Sequence, residues 1–324
     1  MTVSTKSRIT LSLALAGLVL SGRSAKAQDQ AFTKAFALYQ AGSLVEARQL
    51  LLTVVAQHAS ALDFSLLGSI EFQQTDFRQG EQHLRRALAM EPGLVGTRFT
   101  LASLLEASGK STEARQELQR VLAADPHHLE ALLNLARLEV GDRQFVAATA
   151  LFRKAEQSNP KDIRALVGLA RLQNLQGQTE AALADLLKAQ KLAPADPSVL
   201  YALGALCLQM DLIKDATANL EHAAELDPAN PAIEYALASA RIANRDFVSA
   251  MKIYRELLVS DPDNAQVPYA LGATYFLQGD NESAKPYFER SLSLAPQQVE
   301  SLYYLGLIAD QTATKVRATN FSAK

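Results

Sequence analysis

The sequence of 324 residues has no tryptophan and a single cysteine, Cys207. A lone cysteine excludes an internal disulfide, so packing must stabilise the fold. It also excludes a cysteine-based zinc cage, which needs several thiolate or imidazole ligands at fixed spacing. The five histidines have no such spacing, and the sequence has no glycine-rich phosphate loop and no nucleophile motif. We therefore predict that the protein is not an enzyme and uses no metal and no cofactor.

The first residues differ from the rest of the chain. Lys6 and Arg8 precede an apolar run over residues 9–20, and an A-x-A motif ends at Ala27. A basic start, a short apolar run and small residues before a cleavage site are typical of a secretory signal peptide. The run is shorter than the roughly 20 residues that span a bilayer. We predict a signal peptide over 1–27, cleavage between Ala27 and Gln28, and a periplasmic or secreted mature chain without a membrane span.

Basic residues are also scarce in the mature chain. Removal of residues 1–27 removes four basic residues and no acidic residue, which changes the formal net charge from −2 to −6. Proteins that bind phosphate backbones rely on an excess of lysine and arginine. The charge therefore predicts that nucleic acid is not a partner.

A period of 34 residues organises the remaining chain. The prolines show it first: Pro92, Pro126, Pro160, Pro194, Pro228, Pro262 and Pro296. In frames of 34 that begin at Ala61, the seventh place is leucine, the eighth and twentieth are glycine or alanine, and the twenty-fourth is large and apolar. Apolar residues recur at helical spacing in both halves of each frame. Four residues mark a break near the fifteenth place: Gly109, Gly177, Asp211 and Gly279.

The ends of the frames carry helix stop and start signals. The proline ends the second helix, because it lacks an amide donor and restricts the residue before it. Four frames then close on a residue suited to cap the next helix: Asp162, Asp196, Asn230 and Asn264. The sequence thus predicts an all-α protein, an α-solenoid of stacked antiparallel helix pairs.

The pattern resembles the tetratricopeptide repeat family over residues 28–324. It lacks the family's usual tryptophan at the fourth place. The resemblance implies a right-handed superhelix that binds other proteins. We predict a first repeat over 28–60, seven repeats of 34 residues over 61–298, and a truncated last repeat over 299–324 that stops part-way through its second helix.

In that family, first helices line a concave groove, and ligands meet their second, fifth, ninth, twelfth and thirteenth places. Carried over to this sequence, those places imply groove residues at Arg137, Arg164, Arg171, Tyr201, Tyr235, Tyr269 and Tyr303, and Asn134 and Asn174 lie close by and complete the predicted set. The tyrosines either contact a ligand or pack between adjacent first helices. The arginines either bind a carboxylate or form a solvated face.

The predicted function is a non-catalytic scaffold or adaptor in the cell envelope, which binds a peptide or partner protein in the groove. The alternative is an accessory subunit of an envelope polysaccharide synthesis or secretion machine, because tyrosines also stack on sugars. The truncated last repeat would leave Leu302, Leu305 and Ile308 uncovered. We therefore predict self-association through residues 299–324.

Overall fold

The computed structural model describes residues 23–57, 59–228 and 230–322, and in these ranges it contains seventeen helices and no strand. The helices are α1 (Arg23–Gln40), α2 (Leu44–Gln57), α3 (Ala61–Gln73), α4 (Phe77–Met90), α5 (Val95–Ala107), α6 (Ser111–Ala124), α7 (Leu129–Gly141), α8 (Phe145–Ser158), α9 (Ile163–Leu175), α10 (Thr179–Leu192), α11 (Pro197–Gln209), α12 (Ile213–Leu226), α13 (Pro231–Ala243), α14 (Phe247–Ser260), α15 (Gln266–Leu277), α16 (Asn281–Leu294) and α17 (Val299–Ser322). The first sixteen form eight successive pairs, which confirms the all-α fold. The predicted signal peptide lies outside the described residues, except for the backbone of 23–27 in α1.

Each pair turns at the fifteenth place of its frame. All seven residues there have positive φ: Thr75, Gly109, Arg143, Gly177, Asp211, Arg245 and Gly279. A left-handed residue directly after a helix lets the next amide return to a carbonyl of the last turn, as when the Lys110 amide donates to the Leu105 carbonyl at 2.8 Å. The predicted break is therefore confirmed. Thr75, Arg143 and Arg245 also have the left-handed conformation at this turn, although a side chain disfavours it.

The predicted caps also form. The Asp196 carboxylate accepts hydrogen bonds from the Ser198 and Val199 amides, and the Asn230 side chain accepts one from the Ala232 amide. Proline follows both caps as the first helical residue, where its missing N–H costs nothing. Side-chain caps therefore fix where these two first helices begin, whereas α15 begins after Ala265 and not directly after the predicted cap Asn264.

The small residues at the eighth place mark a close helix crossing. A Cβ atom added to Gly204 would lie 2.5 Å from Leu220, and one added to Gly272 would lie 2.9 Å from Phe288. The large residue of the twenty-fourth place therefore fills the space that glycine leaves, as the packing of two close helices requires.

The last frame differs from our prediction. Its expected turn near residue 313 is absent, and α17 runs on as one helix of 24 residues. A left-handed residue costs roughly 1–2 kcal/mol, and the other frames offset it because a full second helix packs back on the first. Ile308 was also expected to be uncovered but is buried, whereas Leu302 is 52% exposed.

The chain divides between Ala165 and Leu166 into two compact units. We call the described residues up to 165 the N-terminal unit and those from 166 the C-terminal unit. The boundary lies inside α9. Each unit has its own buried clusters, and those of the C-terminal unit include the fully buried rings of Tyr254 and Phe288.

Candidate functional site

Six of the predicted groove residues lie on first helices of the C-terminal unit. Arg171 and Asn174 are on α9, and the four tyrosines are on α11, α13, α15 and α17. We call this set the tyrosine face: Arg171, Asn174, Tyr201, Tyr235, Tyr269 and Tyr303. The other three predicted residues belong to the N-terminal unit.

Three of the tyrosines pack against the next first helix. Tyr201 contacts the buried cluster that includes Ile233 of α13, and Tyr235 contacts the cluster that includes Val267 of α15. Tyr269 lies 6.2 Å from Tyr304 of α17, measured between ring centroids. This arrangement agrees with the second alternative of the sequence analysis, in which the tyrosines pack between adjacent first helices.

The same rings nevertheless keep part of their surface in solvent, since Tyr201, Tyr235 and Tyr269 are only half-buried. Burial raises the pKa of Tyr235 and Tyr269. Tyr304, Glu300 and Tyr235 raise the pKa of Tyr269 further. Among the described residues, the hydroxyls of Tyr201 and Tyr235 have no hydrogen-bond partner, so both can bond to a ligand.

Tyr303 differs from the other three because the described chain has no further first helix beside it. Its side chain is 62% exposed, and its ring meets that of Tyr304 edge-on at 5.7 Å between centroids. This large exposed ring extends the row of half-buried ones.

The opposite end of the tyrosine face carries charge. Arg171 is exposed and forms no ion pair with any residue that the structure describes. Asn174, one turn along α9, donates from Nδ2 to Gln209 Oε1 at 2.7 Å and so ties α9 to α11. Arg171 is therefore a guanidinium available to an outside carboxylate, beside a helix contact that fixes its position.

The two predicted arginines of the N-terminal unit, Arg137 and Arg164, form ion pairs within the chain. Arg137 pairs with Glu106 at 2.6 Å, and Arg164 forms a bidentate pair with Glu130 and a further pair with Asp162. Hydrogen bonds to Asp162 and then to Glu130 raise the pKa of Arg164. The charges of Arg137 and Arg164 are therefore largely neutralised within the chain, an arrangement that the sequence analysis did not predict. Asn134, three residues before Arg137, is half-buried.

The sequence analysis missed an aromatic row on α1. Phe32 and Phe36 stack at 6.3 Å between centroids, and Phe36 stacks on Tyr39 at the same distance. The Tyr39 hydroxyl accepts a hydrogen bond from Gln73 at 2.7 Å, which links α1 to α3. Counting back from Ala47 as a twentieth place puts these rings at the fifth, ninth and twelfth places. The irregular length of the first repeat hid this register.

This arrangement defines an all-α repeat protein, in which a constant framework of helix pairs presents variable side chains on its first helices. A tetratricopeptide repeat model matches residues 71–126, 139–207 and 208–273, and two further models of that description match residues 99–163 and 265–298. The chain therefore belongs to the tetratricopeptide repeat family. Proteins of this family generally mediate protein–protein interactions.

Several solved structures share the fold. The Cut9–Hcn1 hetero-tetramer of the APC/C has 15% identity and a TM-score of 0.67, over 89% of this chain and 57% of that chain. A tetratricopeptide repeat protein from Parabacteroides merdae has 19% identity and a TM-score of 0.64, over 77% and 99%. Pseudomonas aeruginosa pilF has 22% identity and a TM-score of 0.56, over 70% and 99%. At such identities the likeness shows the fold alone.

No curated protein sequence matches the chain. Of the helices that the structure describes, none has both the length and the apolar character needed to cross a bilayer.

Proposed function

We propose that the protein is a non-catalytic scaffold that binds an extended segment of a partner protein along the tyrosine face. The observation that carries the proposal is the row of partly exposed rings from Tyr201 to Tyr303, with the unpaired Arg171 at its other end. Tyrosine provides a large contact area at a low cost in conformational entropy, and its hydroxyl orients a ligand. The arginine selects a carboxylate, because its planar group can donate two hydrogen bonds at once.

The proposed ligand site contains fewer charged residues than the sequence predicted. The prediction included three arginines: Arg137, Arg164 and Arg171. Arg137 and Arg164 already bind acidic side chains of their own unit, so a ligand would have to compete with Glu106 and Glu130. Arg171 has no such competitor among the described residues. The proposed ligand is therefore mainly aromatic or apolar, with one acidic group near Arg171.

The test is capture of a partner by photo-crosslinking in cells, followed by binding measurements with purified proteins. Arg171→Ala and Tyr303→Ala should each weaken binding at least tenfold, since truncation of an interface anchor costs at least about 2 kcal/mol. Both side chains are exposed, so the unfolding midpoint should not change. Lys214→Ala and Val259→Ala are matched controls, because these exposed residues lie on second helices. Unchanged binding in both face variants would refute this site.

Tyr235 and Tyr269 need a gentler change because their rings also join repeats. Tyr235→Phe removes only a hydroxyl that has no partner in its own unit, so stability should be kept. If the hydroxyl orients the ligand, affinity should fall about tenfold, as loss of one hydrogen bond predicts. If Tyr235→Phe binds the ligand as tightly as the parent chain, the Tyr235 hydroxyl does not contact the ligand. Arg171 and Tyr303 would then be the anchors of the site.

A second candidate function is the accessory subunit of an envelope polysaccharide synthesis or secretion machine. One observation favours it: the exposed ring of Tyr303 offers a flat surface on which a sugar can stack. Binding of the purified chain to an array of glycans would support this function, provided that Tyr303→Ala abolishes the signal. A positive peptide capture with an empty array would exclude it.

We also propose export from the cell that makes the protein. The support is the sequence of residues 1–27, whose basic start, apolar run and A-x-A motif are typical of a cleaved signal peptide. Amino-terminal sequencing of the protein from fractionated cells should give Gln28 in the envelope or the medium. A chain that keeps Met1 and stays in the cytosol would overturn this proposal.

A further inference from the structure

Charge along the row of tyrosines is confined to its two ends. Of the three first helices in the middle of the row, α11 and α15 contain no charged residue, and α13 contains Glu234 and Arg241. Glu234 occupies the place at which Leu200 of α11 is buried. Arg241 is neutralised by ion pairs with Glu221 and Asp246. The middle of the row therefore presents little charge to a ligand.

The two ends carry opposite charges, since Arg171 of α9 is unpaired among the described residues and α17 carries two acids. Glu300 lies one turn before Tyr303 and so on the same side of α17. Its carboxylate is exposed and forms no ion pair or hydrogen bond with any residue that the structure describes. Asp310, seven residues after Tyr303, places a second acid on this side of the helix. The row therefore runs from a positive end on α9 to a negative end on α17.

The position of Glu300 also has a structural use. It lies in the first turn of α17, where an acidic side chain interacts favourably with the free amides of the helix. Glu282 occupies the same position in α16, which is a second helix, and is likewise exposed. Glu282 therefore shares the structural use of Glu300 but not its place beside the tyrosine face, which makes it a matched control.

The span of the row sets the length of a ligand. Four steps between adjacent first helices separate α9 from α17. At about 8–10 Å per step, the usual distance between packed helices, the row covers roughly 32–40 Å. An extended chain rises about 3.3 Å per residue, so about 10–12 residues reach from Arg171 to Glu300.

We propose that the tyrosine face binds an extended segment of a partner protein that carries an acidic and a basic residue about 10–12 positions apart, with aromatic or apolar residues between them. The acidic residue pairs with Arg171, and the basic residue pairs with Glu300. This inference rests on the proposed function and adds the charge pattern of the ligand. A segment with the same charge at both ends would meet one like charge on the protein, which is unfavourable. The charges thus select among partners, while the rings supply most of the contact area.

The first test selects ligands without knowledge of the natural partner. A display library of random peptides of about 16 residues, which exceeds the span of the row, is selected against the purified chain, and Tyr303→Ala identifies the peptides that use the tyrosine face. We expect these peptides to carry opposite charges about 10–12 positions apart, with aromatic residues between them. Peptides that need Tyr303 but lack this pattern would overturn the inference and leave the proposed function intact. If no selected peptide needs Tyr303, the proposed function and the inference both fail.

The second test reverses the charges of the protein. One selected peptide is made in three forms, which carry an acid and a base, two bases, or two acids at the end positions. The parent chain should bind the first form about fivefold more tightly than the other two, as expected for a well-formed exposed ion pair. Arg171→Glu should prefer the form with two bases, and Glu300→Lys should prefer the form with two acids.

The controls make the same changes on second helices. Lys214→Glu and Glu282→Lys alter exposed residues and should keep the preference of the parent chain. The unfolding midpoint of Glu300→Lys should match that of Glu282→Lys, because both variants lose an acid from the first turn of a helix. About 1 M salt should reduce every preference. An unchanged preference in Arg171→Glu or in Glu300→Lys would overturn the inference.

Discussion

The N-terminal and C-terminal units share one framework but join their repeats by different contacts. In the N-terminal unit, Arg48 reaches from α2 to Glu71 of α3 at 3.0 Å, and Arg115 reaches from α6 to Glu139 of α7 at 2.9 Å. Both pairs link the second helix of one repeat to the first helix of the next. Ion pairs therefore join the repeats of this unit in addition to apolar packing.

In the C-terminal unit, aromatic rings take most of that role, although Arg241 of α13 also pairs with Glu221 of α12. Eight of the nine tyrosines lie after residue 166. Phe288 of α16 stacks on Tyr304 of α17 at 5.0 Å between centroids, and Tyr269 of α15 lies 6.2 Å from the same ring. The comparison shows that the conserved spacing of small and large residues builds the helix pairs, while residues outside those places decide how the pairs are joined.

The largest effect should come from the aromatic contacts. Phe288 is fully buried, fills the crossing at Gly272 and stacks on Tyr304. Phe288→Ala should lower the free energy of unfolding by about 3–5 kcal/mol. Hydrogen exchange should show the loss in α15–α17 and leave α3–α7 unchanged. Tyr303→Ala, an exposed ring on α17, is the control and should be close to neutral. Equal loss of protection in both units would contradict the comparison.

The second largest loss of stability should come from removal of a buried charge from the N-terminal unit. The Glu71 side chain is fully buried, with one oxygen bound to Arg48 and the other 2.6 Å from His83 Nδ1. Glu71→Gln leaves Arg48 without its charge partner and should cost about 3 kcal/mol. Denaturant unfolding would measure it. The control is Glu113→Gln, which breaks a half-exposed pair with Arg85 and should cost less than about 1 kcal/mol. A Glu71 variant as stable as its control would show that these pairs do not join the repeats.

Alkali should destabilise the C-terminal unit first. Burial raises the pKa of Tyr235, Tyr254 and Tyr269 above the ordinary value of 10.0, and Tyr39 is the one tyrosine so affected among the described residues of the N-terminal unit. The folded state holds these protons more tightly than the unfolded chain, so their contribution is complete below pH 10 and is lost as the pH rises. Tyrosinate absorbance together with limited proteolysis would locate the change, and early cleavage in the N-terminal unit would argue against it.

Acid should also lower the stability of the N-terminal unit, through its carboxyl groups. The effect should be smaller than that of alkali because these groups are partly exposed. Burial would raise the pKa of Glu81, but hydrogen bonds from Lys110 and Arg85 outweigh it and lower the pKa. For a carboxyl group lowered in the folded state, stability is present above the unfolded pKa and is lost as the pH falls. About 1 M salt should weaken these pairs as well. Denaturant unfolding at low pH and at high salt should therefore show a loss of stability, and Glu81→Gln should reduce its dependence on pH.

Much of the fold could be predicted from the sequence because its signals are local and repeated. A proline, a capping Asp196 or a small Gly204 acts on the nearest turn or crossing, and every repeat presents it to the same neighbours. The candidate site was less predictable. Tyr201, Tyr235 and Tyr269 were identified by place, but only the stacking of repeats shows that each ring is shared between the next first helix and solvent.

The sequence by itself determined the 34-residue period, the helix pairs, the caps and the family, because each depends on spacing along one chain. The tertiary structure alone decided which charges are neutralised: Arg137 meets Glu106 of the preceding repeat, whereas Arg171 meets no described acid. It also decided that Ile308 is buried and that α17 runs straight through Ala313. These outcomes depend on which residues from different repeats come together, and a turn forms only where a second helix packs back to offset its cost.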